Sequence, residues 1–89
     1  MRAIVTVIGK DTVGIIAAVC ALLAQHNVNV LDISQTVLQD YFTMIMLADT
    51  KGSDLSFADL AELLKKEGEA KGLSIRIQRE DIFNAIHRI

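Results

Sequence analysis

The turn Gly9-Lys10-Asp11-Thr12-Val13-Gly14 holds a cation, a carboxylate, a hydroxyl and two glycines in six residues. Apolar residues at helical spacing follow it, so the turn leads into a helix N-terminus. There the first backbone N–H groups lack intrahelical acceptors and carry partial positive charge, which suits a carboxylate. Gly14 removes a side chain from the first turn, so a ligand or a neighbouring backbone can come close. Asp11 can hold an ammonium of the same ligand, and Asn29, at the start of a later strand, adds donors and acceptors. These are the parts that an amino-acid ligand needs. The candidate ligand-binding residues are Lys10, Asp11, Thr12, Val13, Gly14, Ile15 and Asn29. Each key residue also has a plain structural role open to it. Asp11 or Thr12 can cap the helix, Gly14 can serve close helix–sheet packing, and Asn27 and Asn29 can satisfy backbone groups at a loop exit.

Other chemistries fail on residue type. Cys20, His26 and His87 lack metal-ligand spacing, and a single cysteine allows no intrachain disulfide. No nucleophile–base pair can be named, and neither a P-loop, a dinucleotide fingerprint nor a nucleophile elbow is present. The reading is therefore a binding module without catalysis, metal or cofactor.

The elements that position the turn follow from periodicity. Ala3–Ile8 is β-branched and apolar on both faces, a buried strand. From about Val13 to His26, Ile15, Ile16, Val19, Leu22 and Leu23 form one helical stripe. The other side carries Ala17, Ala18, Ala21, Ala24 and Gln25, and no charged residue stands between Asp11 and Asp32. Such a face suggests close packing by a neighbour, with Ala17, Cys20, Ala21 and Ala24 as interface candidates. Val28–Val37 reads as a second strand whose alternation slips at Val30-Leu31, the mark of a bulge. A tight connection at Leu38-Gln39-Asp40 leads into a third strand, Tyr41–Ala48, making an antiparallel hairpin. Ser56 with Asp59 opens a second helix in the manner of a capping box, and Gly72 stops it. Phe57, Leu60, Ala61 and Leu64 face inward, and Glu62 with Lys66 and Glu67 with Lys71 are paired on the wet side. Leu73–Arg79 alternates as a fourth strand, and Glu80–Ile89 is an amphipathic tail with Ile82, Phe83, Ile86 and Ile89 on one side.

The order β-α-β-β-α-β predicts an α+β, ferredoxin-like sandwich: a four-stranded antiparallel sheet with two helices on one face, plus the C-terminal tail. For this fold, metal transport would need paired cysteines near the first loop, and RNA recognition would need exposed aromatics on the central strands. An acyl-phosphate hydrolase would need an arginine in the first loop, where Lys10 is the only cation. At 89 residues the chain is one domain, residues 1–89 with the tail at 81–89. Its apolar fraction of 52% exceeds the usual figure of roughly 45–50%, although a small domain has relatively little interior to fill. The surplus points to a subunit interface. A net charge of −2 argues against a general nucleic-acid binder. With no plausible membrane span or secretory signal, the expected location is cytoplasmic.

The run IVTVIGKDTVGIIAAVCALLAQHNVNVLDISQ resembles the start of an ACT domain, and the likeness extends over nearly the whole chain. The chain is similar to stand-alone single-ACT proteins of bacteria and archaea, and more loosely to ACT modules of the glycine-cleavage repressor type. The resemblance implies a regulatory module that binds an amino acid or similar small effector between two subunits. The contacts would come from the first loop of one copy and the second strand of the other. It implies that Asp11 holds a ligand-contact position, that Gly14 matches the family glycine and that Asn29 is a second-strand contact. Gly9 stands where some serine-binding members have histidine and Val13 where many have proline, which leaves the ligand's identity open. It further implies a homodimer or higher even oligomer with joined sheets and adjacent first helices, whose output passes through another protein. The alternative function is a ligand-free protein–protein interaction or dimerisation module.

Overall fold

The computed structural model describes residues 1–10 and 14–86. Seven elements follow one another: β1 (Arg2–Gly9), α1 (Ile15–Gln25), β2 (Asn29–Leu38), β3 (Tyr41–Asp49), α2 (Phe57–Ala70), β4 (Ser74–Arg79) and α3 (Glu80–Ile86). The four strands form one antiparallel sheet in the order β2-β3-β1-β4. This is the ferredoxin-like arrangement that the element order predicts.

The register sorts residues into two faces. Val5 pairs with Met46 and Ile77, and Val7 with Met44 and Ile75, so these share the face covered by α1 and α2. All six are buried, together with Ala3, Phe42 and Ala48. From α1, Ile15, Val19 and Leu23 complete this core, and α2 adds Leu60 and Leu64. Met44 and Met46 are thus core fillers, as their unbranched side chains permit. The ladder of β2 slips between Val30 and Asp32, which makes Leu31 the extra residue. Because of that slip, Val30 and Ile33, three positions apart, both lie on the helix side. Asp32 turns to the far face, level with Leu47 and Ile4.

Helix boundaries come from capping chemistry. Ser56 caps α2, its hydroxyl accepting from the Asp59 amide at 3.1 Å. The wet side carries Glu62–Lys66 and Glu67–Lys71 at 3.8 and 3.5 Å. Both main helices end in the same doubly bonded turn. In α1 the Asn27 and Val28 amides donate back to Ala24 and Leu23, and in α2 the Gly72 and Leu73 amides donate to Glu69 and Gly68. Asn27 (φ 58°) and Gly72 (φ 72°) take the left-handed conformation that this closure needs. Asn27 is therefore a helix-exit residue, and Val28 belongs to the closing turn, so β2 starts at Asn29 and not at Val28.

At its start, α1 is shorter than the periodicity suggests. The cap position is Gly14, which has no side chain to offer, and the first ladder bond runs from the Ala18 amide to the Gly14 carbonyl. Asp11, Thr12 and Val13 lie outside the described residues, as do His87, Arg88 and the tail's Ile89. The tail folds as α3 against β1 and β4, on the face away from the other helices. Arg2 there bonds Glu80 at 2.8 Å, and Arg79 bonds Asp81 at 2.7 Å. No helix among the described residues is long and apolar enough to cross a membrane.

Candidate functional site

Antiparallel pairing of β4 with β1 brings the α2–β4 turn beside the β1–α1 turn, since Ile8 pairs with Ser74. Between the two turns lies a cleft of about 420 Å³. Lys10, Gly14, Ile15 and Ala18 form one wall, and Lys71, Gly72 and Leu73 form the other. Three of the residues singled out from sequence, Lys10, Gly14 and Ile15, thus meet in one concavity. Asp11, Thr12 and Val13, the three candidates between Lys10 and Gly14, lie outside the described residues.

Gly14 has φ 75°, and apart from its own chain neighbours no described residue comes within 4 Å of the point where a Cβ would stand. Close helix–sheet packing is therefore not its role. Its role is the left-handed backbone conformation, which an L side chain adopts only at a cost. Gly9 is the position where space is short: a Cβ there would collide with Leu73 Cδ2. A histidine could not stand at residue 9 unless Leu73 moved.

The start of α1 brings partial positive charge to the cleft. The amides of Ile15, Ile16 and Ala17 precede the first ladder bond of α1 and lack intrahelical acceptors. The first turn of α1 carries no acidic residue. Lys10 Nζ sits 5.7 Å from the centre of the Tyr41 ring, a cation–π distance, and Lys71 Nζ lies 3.5 Å from Glu67 Oε2. Both ammonium groups are thus engaged by residues that do not line the cleft, and the amide N–H groups of α1 are what suit a carboxylate or similar anion there.

Asn29 is elsewhere in the same chain. It pairs with Asp49, which also pairs with Arg2, so it sits at the sheet end opposite the first loop. Within one copy it is exposed beside Ala24, Asn27 and Val28 and takes no part in the cleft. The interface candidates Ala17, Ala21 and Ala24 are exposed along α1, and Cys20 is half-buried against the core. His26, at the end of α1, places Nδ1 3.1 Å from Asp54 Oδ1 and ties the helix to the loop before α2. Sequence reasoning missed Lys71, Gly72 and Leu73 as cleft residues, having taken Gly72 only as a helix stop. The ferredoxin-like strand order was the available signal, because it puts β4 beside β1.

The fold is a ferredoxin-like α+β domain with a surface cleft beside its first turn. Residues 2–78 match the ACT domain, and the chain belongs to the ACT-domain family, whose members are regulatory, ligand-binding modules. It is 54% identical over 89 residues to a UPF0237 protein of Clostridium acetobutylicum, covering 100% of both chains. It is 53% identical over 88 residues to a UPF0237 protein of Bifidobacterium longum, covering 99% of this chain and 98% of that one. Among solved structures it is similar to an ACT domain protein from Streptococcus pneumoniae, with a TM-score of 0.84, 40% identity and 93% of each chain covered.

Proposed function

We propose that the chain is a cytoplasmic regulatory domain that works as a homodimer and binds an amino acid or similar small effector where two copies meet. One observation carries the reading, the register of the sheet. Gly9, which leads into the first loop, pairs with Phe42, and Phe42 pairs with Val37 near the end of β2. The first loop and the C-terminal end of β2 are therefore at the same end of the sheet, and Asn29 is at the other. The outer edge of β2 is unpaired. If two copies join through antiparallel β2 strands, the partner's Asn29 comes alongside Val37 and Leu38, at the loop end. It then lies about 14 Å from Gly9, three strand spacings of roughly 4.8 Å. In that arrangement the first loop of one copy and the partner's Asn29 lie at the same end of the joined sheet.

The alanine face supports the same arrangement. Helix α1 packs toward β2, and α2 toward β4. Joining the β2 edges places two α1 helices side by side, where Ala17, Ala21 and Ala24 let them approach closely. A closed two-fold contact of this kind is the commonest symmetry among soluble oligomers.

The test has two arms on the full chain. Sedimentation should give a dimer that Ala21→Glu converts to monomer, since each copy brings a charge to the contact. A thermal-shift screen of amino acids should find a stabilising ligand in the native protein and none in the monomeric variant. At a hundred times the dissociation constant a bound ligand adds about 2.7 kcal/mol of stability. A native protein that is monomeric at micromolar concentration, or a monomeric variant that binds equally well, would overturn the intersubunit site.

A further inference from the structure

Strand β2 lies at an edge of the sheet, and its ladder with β3 holds nine positions: Asn29, Val30, and then Asp32 to Leu38, with Leu31 left out. Ser34 is the middle one, with four positions on either side. In a two-fold antiparallel pair, residue i meets j while j meets i. Residues directly opposite must also share a face, so one residue stands opposite itself and fixes every other pair. Centred on Ser34, all nine positions are used. Val30 meets Val37, Ile33 meets Gln35, Asp32 meets Thr36 and Asn29 meets Leu38. The apolar pair falls on the helix side, where Val30 is level with Ala48 and Val37 with Phe42. Val37 is 64% exposed in one copy. At the start of β2, beside Val30, lies a hollow of about 270 Å³ lined by Ala24, Asn27, Val28 and Asn29. Asp32, the strand's one charge, comes opposite the Thr36 hydroxyl and not opposite its own copy. The neighbouring centre, Ile33, loses this fit. It carries Val37 past the end of the ladder to Val28, whose amide already closes α1 on the Leu23 carbonyl.

We propose that the bulge at Leu31 sets the register in which two copies join, with Ser34 on the two-fold axis and Val37 of each copy seated on Val30 of the other. The proposal deepens the reading given above and rests on its joining of β2 edges. Were Leu31 in the ladder, it would itself stand opposite Val37, and Asn29 would fall one position beyond Leu38. By dropping out, Leu31 makes the two halves of the edge equal. The bulge thereby brings the partner's Asn29 opposite Leu38, at the end of the joined sheet that carries the first loop. Leu31 is a positioning residue in this sense, since it places Asn29 without any contact to an effector.

Cysteine cross-linking on the full chain reads the register, with the native thiol removed by Cys20→Ala. Residues directly opposite have Cβ atoms about 4.5–5.5 Å apart, close to disulfide distance, whereas diagonal neighbours are about 7–8 Å apart. Under mild oxidation Ser34→Cys should therefore form a covalent dimer roughly tenfold faster than Ile33→Cys. Val30→Cys with Val37→Cys in one chain should likewise link two chains faster than Leu31→Cys with Val37→Cys. Within a chain these positions are roughly 20 Å apart along β2 and cannot join. Faster linking through Ile33→Cys, or through Leu31→Cys, overturns the register and leaves the β2 contact standing. If none of the four links while the native protein sediments as a dimer, the β2 contact falls and the register with it. A native protein that is monomeric at micromolar concentration overturns the dimer itself.

Discussion

Replacing Gly14 by alanine separates what the backbone needs from what the ligand needs. The residue holds φ 75° with open space around the missing Cβ, so alanine meets no described atom and all of its cost is conformational. Placing an L residue in the left-handed region costs about 1–2 kcal/mol. Alanine recovers part of this, roughly 0.4–1 kcal/mol, because its unfolded chain has less freedom to lose than glycine's. The net expectation is a destabilisation of about 1 kcal/mol. For a domain of this size that corresponds to a fall of roughly 4–8 °C in melting temperature. Asparagine is the informative companion, since it tolerates the left-handed region better than alanine and carries a larger side chain into the cleft. Stability should therefore rank glycine, asparagine, alanine, whereas affinity for a stabilising amino acid should rank glycine, alanine, asparagine. Denaturant titration gives the first order and calorimetry the second. An alanine variant as stable as the native protein would refute the conformational argument. Two parallel rankings would mean that affinity only follows stability and that Gly14 does not line the site.

Two further perturbations probe the frame. The Lys51 amide, donating to Asp49 Oδ1 at 2.9 Å, holds that carboxyl below its ordinary value of 3.8. A carboxylate depressed in the folded state stabilises at pH values above 3.8, and the benefit is lost as pH falls through the folded value. The stability difference between the native protein and Asp49→Asn should be constant from neutral pH down to about 5 and should shrink below that, as urea titrations at several pH values will show. Removing residues 81–89 strips α3 from β1 and β4, taking away half-buried Phe83 and uncovering the sheet face beside it. A loss of about 1–2 kcal/mol is expected, since fully burying a phenylalanine is worth roughly 1.5–3. An unchanged melting temperature and sedimentation mass would show that the tail does not support the sheet.

The strands and helices were legible because each has a local cause. The slip at Val30-Leu31 breaks a period of two, and the bulge at Leu31 keeps both Val30 and Ile33 on the helix side. Ser56 with Asp59 is a cap written into four residues, and the structure forms it. Boundaries were less legible where tertiary closure decides them. Val28 reads as strand by its branching, yet its amide closes α1 on Leu23, and β2 runs on to Leu38, which pairs with Tyr41 across the turn at Gln39 (φ 52°). The start of α1 at Ile15 follows from the left-handed Gly14, whereas a pattern of apolar residues places it earlier. For the site, Lys10, Gly14 and Ile15 could be found together because they are neighbours in the chain. Lys71 could not, because nothing local links the end of α2 to the first loop. Only the pairing of β1 with β4 brings them together.

The chemistry of the two sheet edges separates them as places for the proposed second copy to bind. An exposed strand edge offers unpaired amides and carbonyls to any passing strand, and proteins defend such edges with charge and short length. β4 is defended on both counts: six residues, with Arg76 and Arg79 among them. β2 has ten residues, its single charge is Asp32, and Leu31, Ile33, Val37 and Leu38 stand at 37–71% exposure. An open edge of that composition invites pairing, which makes it the edge at which the proposed second copy would join. The helix above it makes the same point, since α1 carries no charge at any of its eleven positions, whereas α2 carries a run of them. Adjacent elements that both lack the usual defences form one continuous surface. A partner that covers both must supply a strand edge and a small-residue helix face side by side, and a second copy of this chain has that combination.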